Sequence, residues 1–454
     1  MKTVEISDVT LKNTVIGLFV LCIFLLPVKA RSEHYTSGKA NGYNTVDTSV
    51  TAQIVGQLND NALNNGLYFP VSTKRFYEKR DFAPVWTVEQ KDQNKTWAAM
   101  LLIDCVLQFG LRHEDYHPKE LQYATLHTIL EQAGKVSNKQ KARFEIFLTD
   151  AMLAFMNNLH FGKLNPYYPA EKIDRAAING FNSEELLTNA LKQPAFMDAV
   201  VKVQPVNKDY AIFQHQLHLI KGLYEGDCYE TPEADVRKIA VNMERLRWAD
   251  MNHSTYIQIN IPTYTLKFVL PDTTYIFKIV VGAPATPTPL MVSTLTDFAT
   301  GTGTVNPKTN QRDKLIPYNL FFKQKTGNQK NGSYIYFMPG NKAGIELLGL
   351  SDKNLFTKQK RAMSNGAIRI ERGEELAKLL LTTAGNKTDI QSMHRALMDR
   401  EIKIFQLKKP VPIRITYITT AIVDGQIVKY EDIYNLDSKV ENQLYGLKPI
   451  SKTK

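Results

Sequence analysis

The hydrophobic period changes once along this chain, and that change constrains the fold more than any other feature. From about residue 66 to 225, apolar residues recur at helical spacing. The clearest set is Leu148, Met152, Phe155 and Leu159, with Asp150 and Asn157 between them. Lys192-Gln193-Pro194 and Gln204-Pro205-Val206 punctuate later helices. A polar connector, Glu225 to Pro232, leads into a short helix expected over Val236 to Trp248. Beyond it the period is two: Ile257, Ile259 and Ile261 alternate with Gln258 and Asn260, and Tyr264, Leu266 and Phe268 with Thr265 and Lys267. Pro271-Asp272-Thr273 supplies a turn, and Tyr275, Phe277, Ile279 and Val281 return as a partner strand. Residues 301–333, rich in Gly, Asn, Thr and Lys, predict a long loop. A helix at Glu374 to Leu381 and a strand at Ile413 to Ile418 complete the unit, and no internal repeat is found. The reading is an α+β multidomain chain, a helical domain followed by a mostly β domain. Its 454 residues, 43% hydrophobic and 22% charged, suffice for two or three folded cores.

The amino terminus speaks to location. Val15 to Val28 is an apolar run of 14 residues, preceded by Lys2 and Lys12 and followed by Lys29-Ala30. A membrane span needs about 20 residues. Val28 and Ala30 stand where a signal peptidase reads small side chains, so a signal peptide over 1–30 and export to the periplasm or cell envelope are expected. Glu5 and Asp8 keep an uncleaved membrane anchor as the alternative. Cys22 follows Leu21 rather than a small residue, which argues against a lipoprotein.

Net charge is +11, and removing residues 1–30 lowers it to +10 because three lysines and two acids leave together. A basic exported protein associates with anionic envelope polymers or membrane surfaces. No Lys/Arg cluster interleaved with aromatics marks a nucleic-acid groove. Runs such as Lys358 to Arg361 read as a solvated face. Cys105 and Cys228 remain after residue 30; they are able to form one disulfide, and the sequence leaves the pairing open. His113 and His117 lie beside Glu114 and Asp115, and His215 and His218 lie on an apolar helix. Neither set has convincing metal-ligand spacing, so no metal and no cofactor is expected.

Arg361-Ala362-Met363-Ser364-Asn365-Gly366-Ala367-Ile368-Arg369-Ile370 resembles the signature R-A-x-S-x-G-C-[VI]-R-[VI] of the L,D-transpeptidases, which cross-link peptidoglycan. Asn242-Met243-Glu244-Arg245-Leu246-Arg247-Trp248 resembles the entry to the catalytic domain in the large, scaffold-bearing subfamily. Val280-Val281-Gly282 with Thr288-Pro289 is similar to its V-V-G turn. Pro412 to Tyr417 with Asp432-Ile433-Tyr434 is similar to its closing strand and D-I-Y tail. Phe76 to Trp86, Gly110 to His117, and Leu148 to Lys163 resemble the scaffold domain. The resemblance covers about 70 to 435. With the amino-terminal reading, the chain divides into a signal peptide (1–30), a flexible leader (31–65) rich in Ser, Thr, Asn and Gly, a scaffold domain (66–225), a connector and entry helix (226–253), a β domain (254–420) and a C-terminal tail (421–454). Residues 218–236 leave no room for the peptidoglycan-binding module that some relatives insert.

The family's reaction needs a cysteine thiolate to attack a donor-stem carbonyl, and a histidine to lower the thiol pKa and carry its proton. Backbone N–H groups at the Ser-x-Gly-Cys turn are the expected oxyanion hole. Here the cysteine position is Ala367. The family run Y-L-H-D-T-P-S-K-S-L-F aligns without gaps over Glu346 to Phe356, which puts Leu348 at the histidine position, 19 residues before Ala367. No histidine occurs between His253 and His394. Asp297 to Gly301 also departs from the N-P-x-W of the family's substrate loop. Ser364, Asn365, Gly366 and Arg369 remain as candidate remnants of a substrate site. Ser364 reads as a turn or oxyanion element rather than a nucleophile. Arg369 reads either as a carboxylate contact or as an ion-paired strand arginine. Removing nucleophile and base together is worth about a millionfold in rate.

The resemblance thus implies an exported cell-wall protein, inactive as a transpeptidase, that binds peptidoglycan stems or serves as a scaffold for an active paralogue. The alternative is an active transpeptidase or carboxypeptidase that uses displaced residues.

Overall fold

The computed structural model describes residues 48–88, 93–132, 134–221, 232–249, 253–302, 333–339, 345, 347–350 and 353–447. Eleven α-helices among these precede the first strand. They are α1 (Thr48–Leu58), α2 (Asn61–Asn64), α3 (Pro70–Glu78), α4 (Gln93–Asp104), α5 (Tyr123–Glu131), α6 (Asn138–Phe161), α7 (Ala170–Arg175), α8 (Ser183–Ala190), α9 (Phe196–Val201), α10 (Lys208–Lys221) and α11 (Glu233–Trp248). The long α6 starts on a capping box, with Gln140 N donating to Ser137 Oγ at 3.3 Å and Ser137 N donating to Gln140 Oε1 at 3.1 Å. Leu148, Met152, Phe155 and Leu159 are fully buried, as their spacing implies. Asp150 and Asn157 between them are buried too, because α1, α3, α4, α8, α9 and α11 pack around α6.

Buried acids on α6 are tied to backbone. Glu145 accepts from Val85 N, Trp86 N and Thr87 N at 2.6–3.0 Å, and from Tyr77 OH at 2.9 Å. Asp150 accepts from Tyr68 N, Phe69 N and His117 Nε2 at 2.7–2.9 Å. His117 is therefore a partner of this helix. Cys105 is half-buried, and burial, then Asp104, raises its thiol pKa. Cys228, and with it any Cys105–Cys228 pairing, lies outside the described residues, as does the expected signal peptide.

The leader expected over 31–65 needs correction from Thr48 onward. Val50, Ile54 and Leu58 recur every four residues and bury against α6, so this segment is part of the helical core. Its Ser, Thr and Asn content obscures that stripe in the sequence.

The second half holds β1 (Tyr256–Asn260), β2 (Thr265–Val269), β3 (Thr274–Gly282), β4 (Met291–Thr302), β5 (Ser333–Pro339), β6 (Leu347–Leu350), β7 (Ala362–Ser364), β8 (Ile368–Glu371), α12 (Gly373–Thr383), α13 (Asp389–Met398), β9 (Lys403–Thr416), β10 (Thr420–Val423), β11 (Gln426–Lys429) and α14 (Asp437–Tyr445). The sheet order is β2-β1-β9-β4-β5-β6-β8-β3-β7, and β2 also pairs with β3. That last pairing closes eight strands into a ring, with β7 attached outside it. Ile257, Ile259, Leu266, Phe268, Phe277 and Ile279 form its core, and their neighbours along each strand point the other way. The loop expected at 301–333 falls almost wholly on residues outside those described.

The C-terminal tail is also corrected. Asp424 and Gly425, both at positive φ, turn β10 into β11. α14 packs Val440 and Leu444 against Val241 of α11. The entry helix α11 ties the halves together through its polar residues. Arg247 Nη2 donates to Phe109 O at 2.5 Å and to Tyr210 OH at 2.9 Å, and Glu244 accepts from Leu164 N at 2.6 Å. Toward the β half, Asn242 Oδ1 accepts from Thr419 N at 2.7 Å, and Arg245 Nη1 donates to Asp437 Oδ1 at 2.5 Å.

Candidate functional site

The candidate site is built where β3 ends. β7 lies parallel to β3 with Gly282 opposite Ser364, and β8 lies antiparallel on its other edge with Val280 opposite Arg369. Residues 365–367 therefore cross over the end of β3 from one edge to the other. Gly366 sits at φ 91°, a conformation that side chains resist. Gly282 is required for space, since a Cβ there would stand 2.2 Å from Thr286 O and 2.7 Å from Thr288 N.

Hydroxyl groups pin the crossing. Thr288 Oγ1 accepts from Gly282 N and donates to Gly366 O, each at 2.9 Å. Thr286 Oγ1 donates to Ser364 O at 3.0 Å. Tyr434 OH donates to Gly282 O at 2.6 Å and accepts from Thr288 N at 3.2 Å; burial raises its pKa and keeps it protonated. Ser364 is 4% exposed, and its Oγ donates to Ala367 O at 2.5 Å. That hydroxyl braces the turn.

The residues singled out in sequence come together here. Asn365 is exposed, and Gly366 and Ala367 are half-buried. β6 runs parallel to β8 with Leu348 opposite Arg369, so residue 348 reaches the strand that follows Ala367 directly. Arg369 is half-buried, and its guanidinium has no hydrogen-bond or ion-pair partner among the described residues. Of its two readings, the ion-paired strand arginine thus finds no partner. Behind β6, Gly349 and Gly373 meet backbone to backbone; a Cβ on Gly373 would lie 2.2 Å from Gly349 Cα.

Other residues carry the site without having been assigned to it. Thr288 and Tyr434 lie inside the recognised motifs, which was the available signal. Arg361 is a correction: instead of a solvated charge, it donates to Ile279 O at 3.0 Å, Tyr264 O at 3.2 Å and Lys358 O at 2.8 Å. Those carbonyls leave it half-buried under the end of β3. Asp297 to Gly301 belong to β4, where Phe298 is fully buried and stacks on Phe405 at 5.3 Å. The paired histidines of the described residues have partners outside the turn: His113 with Asp104, His117 with Asp150, His127 with Glu131 and His394 with Glu374. Among the described residues no group of three or more His, Cys, Asp or Glu could hold a metal ion.

Family models agree with this anatomy. A Scaffold domain model matches residues 71–217, and a model of the L,D-transpeptidase catalytic domain matches residues 254–412. Residues 254–412 thus match an L,D-transpeptidase catalytic domain. The Haemophilus influenzae (strain ATCC 51907 / DSM 11121 / KW20 / Rd) protein "Putative L,D-transpeptidase" is 24% identical over 421 residues, covering 82% of this chain and 80% of its own length. A solved structure, "Structure of the Ldtfm-avibactam carbamoyl enzyme", aligns over 36% of this chain at 15% identity with a TM-score of 0.20. The alignment spans about half of that structure's chain, 49%. The turn at 364–369, whose sequence resembles the family signature, lies inside the matched region, and Tyr434 braces it from beyond that region.

Proposed function

We propose that this L,D-transpeptidase-family chain acts in the cell envelope as a non-catalytic protein that binds peptidoglycan stem peptides. Two positions carry the reading: Leu348, opposite Arg369 in the β6–β8 register, and Ala367, just before β8, are the residues that the resemblance aligns with the family's histidine and cysteine. An alkyl group neither attacks a carbonyl nor moves a proton. Residues 254–393 contain no cysteine and no histidine, and His394 on α13 is paired with Glu374. Ser364 is a poor substitute because its hydroxyl is buried and already donated to Ala367 O.

The surrounding turn is kept. Gly366, Gly282, Thr288 and Tyr434 hold the backbone that would face a donor stem, and Arg369 beside it offers a cation suited to a stem carboxylate. The apolar run at 15–28 supports export, and the net charge of +10 beyond residue 30 favours retention on anionic wall polymer. A scaffold role toward an active paralogue is compatible with the same features and is read out by co-purification.

The test has two measurements on the full mature chain. Incubation with tetrapeptide muropeptides, followed by mass spectrometry, is expected to give no cross-linked or D-alanine-released product. Retention on purified sacculi at physiological salt is expected to exceed that of a charge-matched control protein and to fall in Arg369→Ala. Any product, or a carbapenem adduct on the intact protein, overturns the inactive assignment; retention equal to the control overturns the binding assignment.

A further inference from the structure

A second site lies on the outer face of the ring. β1, β2 and β3 place Gln258, Lys267 and Ile276 in one cross-strand row, and Asn260 beside Thr265 in another. Asp209, Ile212 and Phe213 of α10 face these strands, and Ala421, Ile422 and Tyr430 close the side. Together they enclose a cavity of about 210 Å³, below the roughly 300–1,000 Å³ of clefts that hold drug-sized ligands. It has room for a single ring rather than a polymer strand. None of its walls comes from the turn at 364–369.

Two neighbouring amides on β1 are used very differently. Asn260 is 8% exposed and fully engaged: its Nδ2 donates to Ile418 O at 3.0 Å and Thr263 Oγ1 at 3.1 Å, and its Oδ1 accepts from Ile418 N at 2.7 Å. Gln258 is 4% exposed and lines the cavity, yet its side-chain amide has no hydrogen-bond partner among the described residues. Unlike that of Asn260, this amide is free to meet a molecule that enters the cavity.

The rest of the lining narrows the ligand. Asp209 and Lys267 stand 3.8 Å apart, so their charges offset and a strongly charged ligand gains little. The hydroxyls of Thr263 and Thr265 meet at 2.7 Å, and the Tyr430 hydroxyl adds another donor and acceptor with no partner among the described residues. Ile212, Ile276 and Ile422 add apolar surface to the lining, and Ile276 is 55% exposed. A sugar ring has this division, with hydroxyls around its rim and C–H bonds on its faces. An acetamido substituent presents both an N–H and a C=O, the pair that the Gln258 amide lacks.

We propose that this cavity binds a neutral acetamido sugar, with Gln258 pairing the acetamido group and Thr265 and Tyr430 meeting ring hydroxyls. Only the choice of an acetamido sugar rests on the reading that the chain meets peptidoglycan. The two sites are separable, because Arg369 lies outside the cavity and Gln258 outside the turn.

The experiment titrates the full mature chain with N,N′-diacetylchitobiose and follows backbone amide shifts. Saturable binding is expected, with shifts centred on Gln258, Thr265 and Tyr430. Cellobiose, which lacks acetamido groups, is expected to bind at least tenfold more weakly, as is N-acetylalanine methylamide, which lacks the sugar. Gln258→Leu is expected to weaken chitobiose at least tenfold while leaving the melting temperature unchanged, since the amide holds no other part of the chain among the described residues. Absence of binding up to about 10 mM, equal binding of either control compound, or unchanged affinity in Gln258→Leu overturns the proposal. Sugar binding retained in Arg369→Ala, together with lost sacculus retention, distinguishes failure of the turn from failure of the cavity.

Discussion

The turn between β7 and β8 is held by hydroxyls and glycines, and no brace on it comes from the side chain of residue 348 or 367. Chemistry and backbone support are thus carried by different side chains. Ala367→Cys alone is expected to remain inert, because a thiol near its ordinary pKa of about 8.5 with no base beside it acylates slowly. Adding Leu348→His supplies that base from the strand facing Arg369 and is expected to restore weak acylation by a carbapenem. Intact-mass spectrometry reads both variants. Equal adduct formation in the single and double variants would show that position 348 does not face the thiol. The signature residues were legible in the sequence because they are contiguous. The partnership of Thr288 and Tyr434 was not, since the two lie 146 residues apart and meet only through closure of the ring.

Among elements, α6 shows most clearly what pattern reading catches and what it misses. Its apolar stripe is visible at helical spacing, but an acid within a helix reads as solvent-facing until other helices are packed around it. Glu145 is such a residue. Burial raises its pKa, and the donors from Val85, Thr87 and Tyr77 oppose that rise. Glu145→Ala strands several buried N–H and O–H donors, and a loss of about 3 kcal/mol or more is expected. Urea denaturation followed by helical circular dichroism measures it; a loss below about 1 kcal/mol would contradict the cage described around this carboxylate. β1, β2 and β3 were legible for the opposite reason, since strict alternation and a Pro-Asp turn are local signals. The β10–β11 hairpin carried its own cue in Asp424-Gly425, yet lay beyond the strands that the alternation revealed.

At the scale of the whole molecule, α11 is the fastening between halves, and Asp437 on α14 completes it. Its carboxylate takes Arg245, Lys238 and Thr419. Burial alone would raise its pKa, but Arg245 and Lys238 outweigh burial and hold it below the usual aspartate range. A depressed folded pKa stabilises the fold above the unfolded value of about 3.9 and loses that contribution as pH falls through the lower folded value. Wild-type melting temperature is therefore expected to fall more steeply below about pH 4 than that of Asp437→Asn; parallel curves would remove Asp437 as the cause. The closed ring has a separate consequence for assembly. β1 pairs with β9, so Ile257 waits for Ile413, whereas the helical core draws only on residues 50–203. During synthesis the first half gathers its apolar side chains early, while the earliest strands stay unzipped until nearly the whole polypeptide has emerged. A ribosome that stalls before residue 413 releases a finished helical body trailing strands that have nothing to close against.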